Sequence, residues 1–135
     1  MNIIKDLSGA KNYDKYMKSI RLVSSEKPIK ISELQSIAQE GFGDMVKGVV
    51  DIEQKILAIG GDLHADEEAL LLENGSSQSD LWGINLYPGN EEKEFIEFDS
   101  MINVRPKQNN RSRDVEDEKI RERIVEIVNL LINEK

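Results

Sequence analysis

The stretch Asp80-Leu-Trp-Gly-Ile-Asn-Leu-Tyr-Pro88, followed by Phe95-Ile-Glu-Phe-Asp-Ser-Met-Ile-Asn-Val-Arg105, decides the fold. Trp82, Ile84 and Leu86 alternate with Leu81, Gly83, Asn85 and Tyr87, the period of two that a strand imposes. Pro88-Gly89-Asn90 supplies turn chemistry, and Glu91 to Glu94 carry the connection into water. Phe95 and Glu97 then stand opposite Ile96 and Phe98, which completes a hairpin. Two long apolar side chains per face predict a sheet packed on one side against helices. The polar residues that interrupt the hairpin are Asp80, Asn85, Asp99, Ser100, Asn103 and Arg105.

Working outward, Met45 to Ile59 repeats the pattern. Val46, Gly48, Val50 and Ile52 alternate with Met45, Lys47, Val49 and Asp51, and Glu53-Gln54-Lys55 makes the turn before Ile56–Ile59 returns. Gly60-Gly61 breaks the strand, since glycine takes positive φ or admits a close backbone. Before this hairpin, Ser32-Glu-Leu-Gln35 predicts a capping box that opens a helix with Leu34, Ile37 and Ala38 inward. Gly41 is expected to end it in a left-handed cap. After the hairpin, Ala65–Glu73 reads as a helix closed by Asn74-Gly75, with Asp66, Glu67 and Glu68 at its positive end. A short strand over Ala69–Glu73 is the rival reading. Pro106 and Asn109-Asn110 make 104–113 a loop. A last helix is expected from Asp114 or just after, with Val115, Ile120, Ile124, Ile127, Val128 and Leu131 as its apolar stripe. The expected architecture is one α+β domain over 28–135, in the order α-β-β-α-β-β-α, with a mainly antiparallel sheet and helices on one face. Residues 1–27 read as an extension dispensable for folding. Tyr13, Tyr16, Met17 and Ile20 there have the spacing of a short helix, which either packs on the domain or serves a protein partner.

Composition limits the function. At 135 residues the chain suits one domain with its own core. No apolar run approaches the ~18 residues of a membrane span, and 1–27 lacks the apolar core of a secretory signal, so the expected location is cytoplasmic. The absence of cysteine excludes disulfides and thiolate chemistry. A formal charge of −8 argues against nucleic acid and anionic membranes as partners. No phosphate-loop or dinucleotide fingerprint occurs, and no nicotinamide, flavin or pyridoxal cofactor is expected.

Gly60-Gly-Asp-Leu-His-Ala-Asp66, Leu81-Trp-Gly-Ile-Asn-Leu-Tyr-Pro88, Glu97-Phe-Asp-Ser-Met-Ile-Asn-Val-Arg-Pro106 and Asn110-Arg-Ser-Arg113 together resemble a small family of uncharacterised bacterial and archaeal proteins. The resemblance runs from about Pro28 to the C-terminus. It implies no activity, substrate or catalytic residue.

The residues themselves offer two constellations. His64, the only histidine, lies between the glycine pair and a helix start, beside Asp62, Asp66, Glu67 and Glu68. It reads either as a general acid/base held by a carboxylate or as an anchor of the helix start. With Glu67 or Glu68 at i+3 or i+4 it also has the spacing of a weak metal site. Arg105, Arg111 and Arg113, with Asn110, read as donors for a phosphate or carboxylate. The alternative is internal pairing with Asp99, Asp114 and Glu116. Trp82 and Tyr87 fit a core or half-buried sheet better than a stacking platform. His64 or its carboxylate neighbours, Asp99 and at least one of the three arginines are expected to line one polar cleft. Two functions follow: a binding module that recognises a small anionic group, or a hydrolase, with a phosphate ester as one candidate substrate, His64 as acid/base and the arginine loop stabilising charge. An imidazole facing the cleft favours the enzyme, and one enclosed by packing favours binding.

Overall fold

The computed structural model describes residues 20–133. The helix expected over 10–20 falls outside them except for Ile20. Five strands form one antiparallel sheet in the order β1-β4-β3-β5-β6: β1 Arg21–Val23, β3 Val46–Asp51, β4 Ile56–Ile59, β5 Leu81–Leu86 and β6 Ile96–Glu97. Among the described residues three α-helices accompany it: α1 Ile31–Glu40, α2 His64–Glu73 and α3 Glu118–Leu131. A separate parallel pair joins β2 (Ile29–Lys30) to β7 (Ile132–Asn133). Both predicted hairpins and the predicted order of the main elements are present.

The sheet is covered on both faces, not one. Val46, Val50, Leu57, Ile59, Trp82, Ile84 and Leu86 pack with Leu34 and Ala38 of α1 and Ile124, Ile127, Val128 and Leu131 of α3. On the opposite face, Val49, Ala58 and Leu81 pack against Leu71 of α2. Part of the reason is in the strands: Val49, Ala58, Leu81 and Gly83 give the second face an apolar patch for α2, and all six residues of β5 are buried. The division at Pro28 does not follow the sheet either. Arg21–Val23 pair with Leu57–Ile59, and Val23 is fully buried in the main core.

Three helix ends differ from expectation. Pairing of Ile29–Lys30 with the chain's last strand holds Lys30 extended, so α1 starts at Ile31, and the Glu33 carboxylate accepts the Lys30 amide at 3.0 Å. Ser32 is therefore inside the helix. Gly41 has φ −110°, and the left-handed position is Gly43 at φ +104°, whose amide reaches the Ala38 carbonyl. Asp117, not Asp114, caps α3, accepting the Lys119 amide at 2.8 Å.

The second strand of the central hairpin is short. After Glu97 the chain leaves the sheet and forms a 3-10 turn at Met101–Asn103. Gly83 permits this. A Cβ there would stand 2.5 Å from the Ser100 Cβ, so only glycine lets the departing chain lie against β5.

Candidate functional site

Where β6 ends, side chains take over the open edge of β5. The Asn103 carboxamide accepts the Gly83 amide at 2.8 Å and donates to the Gly83 carbonyl at 3.0 Å, the two bonds a neighbouring strand would make. Further along the same edge, Arg105 donates to the Leu81 carbonyl. It also donates from Nε to Ile102 and from Nη1 to Gln78, both at 2.9 Å, and stacks 4.8 Å from the Trp82 ring. Gln108 and, at 3.8 Å, Glu68 take up its remaining donor directions.

Asn110 has a comparable role. It is buried, donates to the carbonyls of Asn103 and Asp114 at 2.7 Å, and accepts the Glu116 amide at 2.8 Å. These bonds close the loop from Asn103 to Glu116. The Arg111 and Ser112 amides and the Ser112 hydroxyl all donate to one Glu116 oxygen, which holds that carboxyl below its ordinary range. The Ser112 hydroxyl is the largest cause. Arg113 pairs with Asp99 at 2.5 Å, both sides half exposed. Arg121 pairs with Asp114 at 2.6 Å.

The expected residues thus divide between the two ends of β5. Arg105 sits at the Leu81 end. At the Asn85 end, a polar row crosses the sheet on the face that α2 covers: Lys47 stands opposite Asn85, and Asn85 opposite Glu97. The Asn85 amide group donates to Glu97 Oε1 at 2.9 Å and to the Asp99 carbonyl at 3.1 Å. Tyr87 donates to the same Glu97 oxygen at 3.0 Å. Asp99 leads to Arg113, and the charges of Lys47 and Asp99 both act on His64. Lys47 was not singled out in the sequence. Its only signal is the alternation that puts it on the face of Val49 and Asp51.

His64 begins α2 with 8% of its surface exposed. Its Nε2 lies 2.9 Å from the Ile84 carbonyl. A carbonyl only accepts, so Nε2 carries the hydrogen and Nδ1 of the neutral ring is bare. Burial is the main cause that lowers the imidazole below its ordinary pKa; the Ile84 bond opposes it, and Lys47 adds to it. The Asn85 carboxamide, like the Ile84 carbonyl, opposes the lowering. With its NH₂ directed to Glu97 and Asp99, its oxygen is buried and has no partner among the described residues.

Glu67, one turn further along α2, is fully buried. One oxygen accepts the Gly61 amide at 2.8 Å, and the other has no partner among the described residues. Burial pushes this carboxyl well above its ordinary value. Native protein therefore holds a proton that the unfolded chain releases near pH 4.3, and stability from this group falls as pH rises above that point. Glu67→Gln keeps an acceptor for Gly61 without a charge to bury. It is expected to be more stable than the parent at pH 8 by about 1 kcal/mol or more. At pH 4 the gain should vanish. Melts of both proteins from pH 4 to 8 check this; a Gln variant less stable at pH 8 would refute a neutral Glu67.

His64 and Glu67 are therefore committed to the sheet and to Gly61, and Glu68 faces Arg105. Among the described residues no three His, Asp or Glu side chains gather as a metal-ligand set. No helix among them is long and apolar enough to cross a membrane. Away from the polar row, a groove of about 520 Å³ is lined by Phe95, Ile96, Phe98, Val125, Val128 and Ile132 together with Glu92 and Lys93.

Residues 22–131 match a protein family described as a protein of unknown function, DUF5674. The chain belongs to that family. The match begins within β1, so the family unit includes residues of the first strand as well as the two hairpins and α3. No curated protein and no solved structure matches the chain.

Proposed function

We propose that this DUF5674 chain is a non-catalytic binding module whose ligand presents an anionic group to Lys47 and Arg113 at the Asn85 end of β5. Lys47 carries the proposal. In a chain of net charge −8, this part-buried cation has no carboxylate within ion-pair distance among the described residues. Its ammonium rests 5.1 Å from the Phe42 ring, a contact that leaves most of its hydrogen-bonding capacity open. Arg113 uses Nε on Asp99, and its terminal nitrogens, which have no hydrogen-bond partner among the described residues, can present a fork to a ligand. Arg111, two residues away, adds positive charge that it shares with Glu116. Asp99 and Asn110 hold the loop and Arg105 holds the sheet edge, so their part in recognition is to position. The enclosure of His64, with Nε2 donated into the sheet, supports binding over hydrolysis.

Inorganic sulfate and phosphate, added to about ten times Kd, stabilise a protein they bind by about 1.4 kcal/mol, a rise of roughly 4–7 °C in Tm for a domain of this size. Lys47→Ala and Arg113→Ala are each expected to abolish that rise, and Arg111→Ala to reduce it. An equal rise in all three variants would overturn the assignment. Hydrolysis of a phosphate ester that disappears in His64→Gln would replace it with the enzymatic reading.

A further inference from the structure

We infer that the ligand is a singly charged aromatic acid: its anionic group meets Lys47, and the ring that carries it packs on Phe42. The inference rests on the binding reading above and names the ligand class. Phe42 is 49% exposed, and no other aromatic side chain among the described residues is as open. A lone exposed apolar side chain is ordinary. Two observations set this one apart.

The first is that its backbone is tied down on both sides. The Gly41 amide bonds the Ile37 and Ala38 carbonyls at 3.1 Å, and the Gly43 amide bonds the Ala38 carbonyl at 2.6 Å. Gly43 makes this turn at φ +104°, where glycine is favoured. The ring is therefore presented from an ordered loop, and binding need not order it. The second is the cation. Lys47 Nζ lies 5.1 Å from the centre of the Phe42 ring. An ammonium has several donors, and those turned away from the ring are open to an anion. A ring bonded to that anion can then come within the ~4.5–7 Å centroid separation of aromatic pairs.

The end of the sheet fits the same ligand. β3 starts at Val46, opposite the last residue of β5, and β4 stops at Ile59, so three connections emerge together. The Gly60 amide bonds the Lys47 carbonyl at 3.2 Å, and that connection carries Leu63, also exposed. Tyr87 follows β5. Burial first, then Glu97, Asp44 and Asp99, raise the Tyr87 hydroxyl above its ordinary pKa, so negative charge already crowds this end. A single negative charge on an apolar body suits it better than a compact polyanion.

The experiment compares methanesulfonate, cyclohexanesulfonate and benzenesulfonate, all monoanions, by NMR titration of the full chain at constant ionic strength. Benzenesulfonate is expected to bind about three- to tenfold more tightly than methanesulfonate, the scale of one aromatic pair. Cyclohexanesulfonate should fall between them. Phe42→Ser should remove the preference while methanesulfonate still binds, Phe42→Tyr should keep it, and Lys47→Ala should abolish binding of all three. Melts of each variant check that it is folded. Equal affinity for methanesulfonate and benzenesulfonate, or a preference that survives in Phe42→Ser, would overturn the ring subsite and spare the anion site. Equal affinity for cyclohexanesulfonate and benzenesulfonate, or sulfate binding without any sulfonate binding, would overturn the aromatic class. If neither sulfate nor any sulfonate binds, the anion site falls, and the ring subsite with it.

Discussion

Asn103→Ala is expected to destabilise the protein by about 3–5 kcal/mol, a loss in the tail of single-substitution effects. The Asn103 side chain is fully buried and stands in for a missing strand: it pairs with both the amide and the carbonyl of Gly83, and it donates to the Arg113 carbonyl at 3.0 Å. Alanine would leave two buried backbone groups of β5 without partners, each costing about 1–3 kcal/mol. Asn103→Asp should be at least as damaging, because it places a carboxylate against the Gly83 and Arg113 carbonyls. Gly83→Ala attacks the same seam from the other side, through the 2.5 Å contact with Ser100. Urea unfolding of the three variants checks this. A loss below about 0.5 kcal/mol for Asn103→Ala, the range of surface sites, would mean that the edge of β5 is not sealed in this way.

The second large effect concerns the start of the sheet. A chain beginning at Ile20 retains β1, whereas one beginning at Pro28 loses it. The shorter chain is expected to be less stable by about 3–5 kcal/mol, from the burial of Val23 and Ile20 at about 1.5–3 kcal/mol for each large apolar side chain. It also exposes the backbone edge of β4, which invites aggregation. Thermal melts and size-exclusion profiles of the two chains decide the matter. Identical melts would show that β1 lies outside the cooperative unit and would restore Pro28 as its boundary.

Both effects lie where local reading of the chain meets its limit. Arg21-Leu-Val23 has no period long enough to declare a strand, and its place depends on pairing with Leu57–Ile59, more than thirty positions later. Asn103 was visible as a polar interruption of a predicted strand. That it replaces a strand follows only from the chain turning away at Ser100, where Gly83 leaves room. The arginines were legible as a cluster, but their acceptors were not. The carbonyls of Ile102, Gln78 and Leu81 that saturate Arg105 meet only in the folded molecule. The result is a loop whose positive charge is turned mostly to internal structure.

The sequence by itself determined the two hairpins, the order of the main elements, the apolar stripe of α3 and the α+β class. Each of these depends on a period of two or 3.6 residues, or on turn chemistry within a few positions, and local physics suffices. Membership of the family was also legible, because its motifs are contiguous. Only the tertiary structure decided that the sheet is covered on both faces, that β1 belongs to it, and that helix α1 starts where β2 meets the last strand. It alone placed His64 against the Ile84 carbonyl and Lys47 beside Asn85. These are contacts between residues about twenty to a hundred positions apart. Their free energy comes from burial and from pairing groups that have no neighbour along the chain, so no local pattern encodes them.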